Sequence, residues 1–591
     1  MTTSNRLATL WDPHEPRAVL RDHIDERQFG GGIPQVPARF PTVRLGRHWI
    51  SALWLLPIGV TVLILVVAVA QELREYGWMQ DFITRYPGTS PSFASEVTSG
   101  FPAWLRWQHF FNIIFMMFIL RSGLQILADH PRLYLNAGCR PGTEWLRMRG
   151  EVPADRRDKS DPPKVWTSKD DAVTLPKWLG IPGFRHSVGL ARWWHLSFDL
   201  LWLVNGVLFY VLLFSTGQWQ RIVPQSWEVF PNALSTAVQY ASLDFPDNHG
   251  FIAYNGLQML AYFITVFVAA PLAFLTGLLQ APAVAARLGT GRGPLNRQAA
   301  RTVHFAVWLW MVTFIVAHVT MVFTTGAVEN LNHMTLGTDT ESYWALAIFG
   351  VAAAVVTTLW LAASPVTIRY PRVVQNTGRF IVGWAKAWME RAHPRASYTD
   401  KDISPYLWVN GTLPDSDHYR WLQQGGWSQY MLRIEGLVET PLELSYSGLL
   451  ALPKHEQITQ HYCIQGWSGV AKWGGVAMAD ILAMVHPLPE AKWVVFYSFA
   501  EGAEPGHGRY YDCHRIEHMR EPMALLAYEM NGQPLCEAHG APLRLRNELE
   551  LGFKQVKWIE AIEFVADFRD VGWGHGGYNE DHEYYGYRMP I

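Results

Sequence analysis

The chain divides into a region of long apolar stretches and a region of short alternating ones. The long stretches lie at about 50–71, 108–127, 193–215, 253–279, 303–324 and 342–364. Each approaches the roughly 20 apolar residues that an α-helix needs to cross the hydrocarbon of a bilayer. The pattern predicts six transmembrane helices.

Beyond about residue 400 the apolar stretches become short. Segments such as 430–435 and 493–499 are rich in strand-forming residues, and turns that contain Gly and Pro separate them. This pattern is typical of a soluble, strand-rich domain. The predicted fold class is therefore multidomain, with an all-α six-helix transmembrane bundle followed by a soluble α+β domain.

These patterns define four regions. We expect a polar tail over 1–47, a membrane domain over 48–366, a linker with an interfacial helix over 367–400 and a soluble domain over 401–591. The tail lacks the short apolar core of a cleavable signal peptide, which favours a cytoplasmic position.

The distribution of Lys and Arg predicts the orientation. The tail, the long connection 128–192, the connection between helices four and five and the stretch after helix six are rich in these residues, and the other connections have few. Cytoplasmic loops carry the excess of positive charge. We therefore expect a multi-pass protein of a bacterial inner membrane, with both termini and the soluble domain in the cytoplasm.

Composition narrows the function classes. The formal net charge of -2 gives no basic field, so nucleic acid is not an expected partner. The four cysteines, at positions 139, 463, 513 and 536, include no CxxC pair, which argues against a disulfide framework, an iron–sulfur cluster or a structural zinc. Any cysteine with a chemical role therefore acts alone.

Four histidines lie at the depth of the predicted helices. His304 and His318 are 14 residues apart on helix five, so they share nearly one face and lie roughly 21 Å apart along its axis. His109 begins helix two at the depth of His318, and His195 begins helix three at the depth of His304. Ionisable groups inside a membrane are usually functional. Two pairs matched in depth predict two bis-histidine hemes.

This histidine pattern resembles the di-heme b-type cytochrome subunits of hydrogenases and formate dehydrogenases over about residues 105–325. The resemblance implies two hemes b, one held by His109 and His318 and the other by His195 and His304. The first predicted helix has no counterpart in the simpler four-helix form, and we assign it no redox role.

Other polar groups of the membrane region have simpler interpretations. A histidine at a helix end commonly caps the helix, which is our interpretation of His48, His130 and His186. Arg121 and Asp199 are open between a hydrogen bond to a heme propionate or quinone and a snorkelling or internally paired charge.

One cysteine of the soluble region lies in a distinctive segment. Residues 461–476 read HYCIQGWSGVAKWGGV, with Cys463 at the third position, and YEMNGQPL (528–535), HGAPLRL (539–545) and LGFKQVKWI (551–559) follow in order. Together these segments resemble the molybdopterin domain of the sulfite oxidase family, and within it the bacterial methionine sulfoxide reductase catalytic subunits, over about 402–591. A soft thiolate suits molybdenum, so Cys463 is the predicted catalytic residue and metal ligand.

The remaining needs of a molybdenum–molybdopterin cofactor are pterin contacts and cations for its phosphate. The residues predicted to hold the phosphate are Arg544, Lys554, Gln555, Val556 and Lys557. The resemblance implies three further cofactor-binding positions, Asn410, Ser498 and His539. His539 stands where relatives often have Asn, and His461 stands where an Arg is common. Both differences affect the pocket and leave the substrate open.

The predicted function is a membrane-bound molybdenum oxidoreductase. It transfers an oxygen atom on a small substrate and relays electrons through two b hemes to or from quinone, with membrane lipid as its other partner. An S-oxide reductase and a sulfite-type dehydrogenase are both open, as is the oligomeric state. The alternative class is a non-catalytic electron-transfer or sensing cytochrome with a degenerate molybdenum domain.

Overall fold

The computed structural model describes residues 35–93, 99–153, 166–246, 250–288, 293, 296–389, 397–501, 509–571 and 577. Residues 1–34 of the predicted tail and 390–396 of the predicted linker lie outside this description, and so do parts of the connections from which the orientation was predicted.

Six helices of the described chain are long and apolar enough to cross a membrane, which confirms the predicted bundle. They are α1 (Leu55–Glu75), α2 (Ala103–Asp129), α3 (Val188–Ser215), α4 (Gly256–Gln280), α5 (Arg297–Thr324) and α6 (Tyr343–Arg369). Large apolar side chains remain exposed along their outer faces, as helices that face lipid require. A π-helical turn, Ile264–Ala269, interrupts α4.

Polar caps fix where α4 and α5 begin. The side chain of Asn296 accepts hydrogen bonds from the backbone N–H groups of Gln298 and Ala299 at 2.9 and 3.0 Å, so α5 starts at Arg297. Asn255 and Gln258 form a capping box at the start of α4. Such caps satisfy backbone donors that would otherwise have no partner in the first turn.

A small sheet joins the start of the described chain to the connection between α2 and α3. Its strands are β1 (Thr42–Leu45), β2 (His48–Ser51), β3 (Arg132–Leu133) and β4 (Leu146–Arg147), in the order β2-β1-β4-β3. Because 48–51 pair as a strand, the first membrane span, which consists of the 3-10 turn Ala52–Trp54 and α1, begins at Ala52. The described part of the predicted tail therefore lies at the same end of the bundle as this connection.

Shorter helices complete the membrane region. They are Gly77–Arg85, Ser168–Asp171, Val229–Ala241, Pro282–Leu288 and Ala327–Thr335. Within the predicted linker, α7 (Pro371–Met389) packs Gly378 against the ring of Trp193 at the start of α3. Its Phe380, Trp384 and Trp388 are exposed.

The soluble region contains two sheets that pack on a shared core. Its strands are β5 (Met431–Gly436), β6 (Leu442–Ser445), β7 (His455–Tyr462), β8 (Ser468–Ala477), β9 (Trp493–Glu501), β10 (Arg509–Arg515), β11 (Leu525–Met530), β12 (Gln533–Pro534), β13 (Arg544–Arg546) and β14 (Ile559–Val565). One sheet has the order β10-β9-β14-β5-β6, with β14 parallel to β5. The other has the order β12-β11-β8-β7, with β13 added to β11.

The core between these sheets is apolar and fully buried. Leu432, Phe496, Leu526 and Ile562 belong to it. Four helices complete the domain: Asp417–Gln424, Tyr446–Ala451, Met478–Val485 and Ile516–Met519. The soluble, sheet-rich domain predicted from the short strands is thus confirmed.

The soluble domain contacts one end of the bundle, where α2 ends and α3 and α5 begin. The Trp408 indole donates to the carbonyl of Cys139, and the Ser168 N–H donates to the carbonyl of Val409, both at 2.8 Å. A buried cluster that includes Trp193, Trp408 and Trp467 continues across this junction. We call this the domain side of the bundle and the opposite end the far side.

Candidate functional site

A cleft lies at the junction of the two domains, and Cys463 faces it. The soluble domain contributes most of its wall, and the membrane domain contributes the rest. Its polar lining from the soluble domain is Asn410, Thr412, His461, Cys463, Gln465, Tyr510, His539, Arg544, Gln555 and Lys557, and from the membrane domain Asp129, Lys169 and His186.

Cys463 lies at the start of a tight loop between β7 and β8. The N–H of Gly466 donates to the carbonyl of Cys463, and the N–H of Cys463 donates to the carbonyl of Trp467, both at 3.1 Å. Gly466 has a φ of 104°, a conformation that favours glycine. We call residues 463–467 the cysteine loop. Its hydrogen bonds hold the sulfur in one place.

The Cys463 thiol is 1% exposed. Burial raises its pKa to about 12, so the thiol keeps its proton at neutral pH until a metal displaces it. The sulfur lies 3.8 Å from the Asn410 amide nitrogen and 3.8 Å from the Gln465 side-chain oxygen. A single soft ligand whose nearest side-chain neighbours are two neutral amides fits a metal that takes its other ligands from a cofactor.

Two cations line the cleft, Arg544, which is buried, and Lys557, which is partly buried. Arg544 donates to the carbonyl of His539 at 3.0 Å, and its buried Nε has no hydrogen-bond partner among the described residues. Lys557 donates to the carbonyls of Asn410 and Ala538 at 2.5 and 2.9 Å. Among the residues that the structure describes, no carboxylate forms an ion pair with either cation.

Burial and mutual repulsion make these two charges unfavourable as they stand. Burial, and then Arg544, lower the pKa of Lys557 well below its usual value. A β-carbon at Gly540, whose φ is 110°, would lie 3.0 and 3.2 Å from the side chains of Lys557 and Arg544, so the glycine lets them approach. An anionic group such as a phosphate would stabilise both cations and satisfy the Arg544 Nε. The residues present therefore fit a phosphate-bearing cofactor.

The two histidines at unusual positions have different environments. Nδ1 of His461 accepts a hydrogen bond from Arg546 at 2.9 Å, and the ring stacks on Trp467. Burial and Arg546 lower its pKa, so the ring is neutral. His539 lines the cleft directly, in the turn that precedes Gly540.

Three predicted cofactor residues do not line the cleft. Lys554 is fully buried in an ion pair with Asp512 and also donates to the carbonyl of Cys513 at 2.9 Å. Ser498 donates to the carbonyl of Lys557 at 2.7 Å, so it supports a lining residue. Val556 lies in the core between the sheets. The other five, Asn410, His539, Arg544, Gln555 and Lys557, line the cleft with Cys463.

The wall from the membrane domain was not predicted. His186, interpreted from the sequence as a helix cap, lines the cleft with its Nδ1 3.8 Å from a carboxylate oxygen of Asp129. His130 does follow the last residue of α2 as its cap. Lys169 reaches the cleft from the helix Ser168–Asp171. No local signal in the sequence indicates that these residues approach Cys463, because about 300 residues separate them.

The four membrane histidines form the two predicted pairs. The ring centroids of His109 and His318 are 6.2 Å apart at the far side, and those of His195 and His304 are 6.3 Å apart at the domain side. Two opposed metal–imidazole bonds of about 2 Å each place the ring centroids roughly 6 Å apart. Both pairs therefore fit an iron held between two histidines.

Hydroxyl groups orient both histidines of the domain-side pair. Ser122 on α2 contacts Nδ1 of His195 at 2.9 Å, and Thr276 on α4 contacts Nδ1 of His304 at 3.0 Å. At the far side, Tyr262 lies 3.4 Å from Nδ1 of His318. A hydrogen bond at Nδ1 leaves Nε2 for a metal.

The two charged groups whose roles the sequence left open differ in their surroundings. Arg121 donates to the carbonyls of Trp360, Lys177 and Gly180, so it fastens α2 to α6 and to the chain before α3. Asp199 lies 3.5 Å from Nε2 of His195, beside the domain-side pair. Arg121 therefore has a structural role, whereas Asp199 belongs to the surroundings of a histidine pair.

Two family models match separate parts of the chain. Residues 100–337 match prokaryotic cytochrome b561, and residues 418–573 match the oxidoreductase molybdopterin binding domain. The chain joins a cytochrome b domain to a molybdopterin-binding domain. The first match includes all four paired histidines, and the second includes Cys463. The matches confirm molybdopterin and heme b as the predicted classes of cofactor, and they confirm the predicted order of a cytochrome b domain followed by a molybdopterin-binding oxidoreductase domain.

Individual relatives cover only parts of the chain. The protein-methionine-sulfoxide reductase catalytic subunits MsrP of Xanthomonas campestris and Xanthomonas axonopodis are each 33% identical over 154 residues, 25% of this chain and 48% of the relative. A protein of Azospira oryzae, provisionally named protein-methionine-sulfoxide reductase subunit YedZ1, is 30% identical over 152 residues, 26% of this chain and 55% of the relative. The chain thus spans about half the length of the curated relatives it matches.

One solved structure is also similar in sequence. The sulfane dehydrogenase SoxCD of Paracoccus pantotrophus is 25% identical and covers 24% of this chain and 39% of that chain, with a TM-score of 0.21.

Proposed function

We propose that this protein removes an oxygen atom from a small S-oxide and takes the two electrons from quinol through two b hemes. The observation that supports the proposal most strongly is that the cleft that contains Cys463 lies at the end of the bundle that carries the His195–His304 pair. The direction, reduction and not oxidation, is supported by the names of the MsrP relatives.

Each part of the site has a task in this proposal. Cys463 would hold the molybdenum, and Arg544 and Lys557 would hold the phosphate of its pterin, with Asn410 and His539 beside it. When bound, the cofactor supplies the oxygen-atom chemistry. Cys463 and Arg544 are buried, and low solvent access strengthens the attraction between a cation and an anionic cofactor.

The electron relay in this proposal runs across the bundle. Quinol gives up two electrons and two protons at the far side, and His109 with His318 would hold the first heme. His195 with His304 would hold the second, next to the cleft. The S-oxide takes two electrons and two protons and leaves as a sulfide and water.

The proposal is tested on the detergent-purified full chain. We expect molybdenum, two dithionite-reducible b hemes per chain, and reoxidation of the reduced hemes by a small S-oxide. Cys463→Ala should lose the molybdenum and the reoxidation and keep the heme spectrum. Cys513→Ala, which removes another buried thiol outside the cleft, is the matched control and should behave as wild type.

Two outcomes would contradict the proposal. Unchanged turnover in Cys463→Ala would exclude molybdenum catalysis at this site. Wild-type protein that binds heme and contains no molybdenum would favour the alternative, a non-catalytic electron-transfer or sensing cytochrome.

We also propose that the molybdenum domain and both termini face the cytoplasm of a bacterial cell. This rests on the Arg-rich connections at the end of the bundle that carries the soluble domain. Protease added to right-side-out vesicles should leave residues 401–591 intact, and added to inverted vesicles it should cleave them. Cleavage in right-side-out vesicles would refute this orientation.

A further inference from the structure

We propose that Arg297 and Gln298, in the first turn of α5, are positioning residues that hold the cysteine loop over the domain-side heme and so set the rate of electron transfer between them. The inference rests on the proposed function. It concerns only the last step of the relay, from the domain-side heme to the molybdenum centre.

Both side chains donate to backbone carbonyls of the cysteine loop. Gln298 Nε2 donates to the carbonyl of Gly466 at 3.0 Å, and Arg297 Nη1 donates to the carbonyl of Trp467 at 3.3 Å. Gln298 is fully buried and Arg297 is nearly so. The Asn296 cap fixes the turn from which both side chains project. The contacts therefore join a rigid helix end to the loop that carries the metal ligand.

The same helix carries a predicted heme ligand. His304 follows Gln298 by six residues, which is about 9 Å along a helix axis. Arg297 also donates to the carbonyl of Gln280, at the end of the helix whose Thr276 contacts His304. The residues that hold the cysteine loop and the residue that orients His304 therefore lie close together, at the start of α5 and the end of α4.

A second helix end contacts the loop from the other side. Gln465 Nε2 donates to the carbonyl of Asp129, the last residue of α2, at 3.2 Å, and its Oε1 accepts from Ser168 at 2.7 Å. Ser122, two turns earlier on α2, contacts His195. The loop is therefore held by the ends of two helices, and each of them also contacts or carries a histidine of the domain-side pair.

The charge of Arg297 fits a role beyond packing. Among the described residues no carboxylate forms an ion pair with it, and its guanidinium lies over the ring of Tyr462, next to Cys463. A buried cation at this place favours the addition of negative charge nearby, which is what electron arrival at the metal centre brings. Gln298 has no charge, so substitutions at the two residues can separate an effect of loop position from an effect of charge.

The test uses the full chain with Gln298→Leu, Arg297→Gln and Arg297→Lys. Quinol-reduced protein is mixed with a small S-oxide, and reoxidation of the hemes is followed by stopped-flow absorbance. A parallel assay supplies electrons from reduced methyl viologen directly to the molybdenum centre. Hydrogen–deuterium exchange of the peptide that contains 463–467 reports the position of the loop without any turnover.

We expect Gln298→Leu and Arg297→Gln to slow heme reoxidation roughly tenfold, because small displacements of reacting groups have effects of this size or larger. Turnover with viologen, heme absorbance and molybdenum content should stay at wild-type levels, and exchange of the loop peptide should rise. Arg297→Lys, which keeps the charge, should recover part of the rate. Thr302→Val is the matched control, since Thr302 lies on the same helix and contacts the carbonyl of Tyr134 and not the loop.

Three results would overturn the inference. Wild-type reoxidation in both neutral variants would show that the contacts do not affect electron transfer. An equal loss of turnover rate with viologen and with quinol as the electron donor would show that the residues support Cys463 itself. Unchanged exchange of the loop peptide would show that they do not position the loop, and this arm is readable even if the protein has no S-oxide activity.

Discussion

The two histidine pairs have nearly the same ring separation and differ in what orients them. At the domain side, Ser122 and Thr276 each donate their hydroxyl hydrogen to a carbonyl of their own helix, at 2.6 Å in both cases. Each hydroxyl has one hydrogen, so toward His195 and His304 it can only accept. This fixes the proton of both rings on Nδ1.

At the far side, ring packing replaces these hydrogen bonds. His318 stacks on Phe314 at a centroid distance of 5.7 Å, and its contact with Tyr262 is 3.4 Å long. Among the described residues none forms a hydrogen bond with the ring of His109. The domain-side pair is thus preorganised for one geometry, whereas the far-side pair can adjust, which would suit the end that receives quinol in the proposed relay.

The largest effect is expected when one histidine is removed from each pair in turn. In His318→Ala we expect loss of reduction by quinol, while the domain-side heme, once reduced by dithionite, is still reoxidised by S-oxide at the wild-type rate. In His304→Ala the far-side heme is still reduced by quinol, and its reoxidation by S-oxide is lost because the heme next to the cleft is missing. Stopped-flow absorbance measures both steps.

Each of these variants is the control for the other, since each removes one imidazole from α5. Heme content near half of wild type in both would show that the remaining site is intact. Equal rates of reoxidation in the two variants would contradict the order of the relay.

Smaller losses of heme affinity should distinguish the histidine pair that is oriented by hydrogen bonds from the pair that is oriented by ring packing. Removing the hydroxyls with Ser122→Ala or Thr276→Val should weaken heme binding at the domain side by roughly 10- to 100-fold, the range seen when partners of metal-ligating histidines are removed. Tyr262→Phe should change far-side binding much less, because a 3.4 Å contact is at the outer limit of a hydrogen bond. Transfer of heme to excess apomyoglobin measures the loss.

Thr320→Val is the matched control for these substitutions. Thr320 lies on α5 and donates to its own helix in the same way, and it contacts no histidine of either pair. A larger effect of Tyr262→Phe than of Thr276→Val would reverse the comparison.

The features that the sequence predicted well are those in which position along the chain determines position in space. The 14-residue spacing of His304 and His318 places them on one helix face whatever surrounds the helix. Apolar length alone predicts the six helices. The role of Cys463 could be predicted because Arg544 and Lys557, which line the same cleft, also lie in short segments that resemble the sulfite oxidase family.

The features that were missed depend on contacts between distant parts of the chain. Asp129, Lys169 and His186 reach the cleft only because the soluble domain docks on the bundle. Lys554 has the residue type of a phosphate ligand, and its ion pair with Asp512 becomes visible only when β10 and the loop before β14 are placed side by side. Residue type predicts what a side chain can do, and packing decides which partner it meets.

The wall that the membrane domain adds to the cleft imposes an order on maturation. Synthesis runs from the N-terminus, so the residues that form this wall are made before the soluble domain that contains Cys463. A bulky pterin must therefore be inserted while the soluble domain is folded and not yet docked, or the domains must separate to admit it. Docking therefore competes with cofactor delivery, and a chain that docks first must reopen at this junction before the pterin can enter.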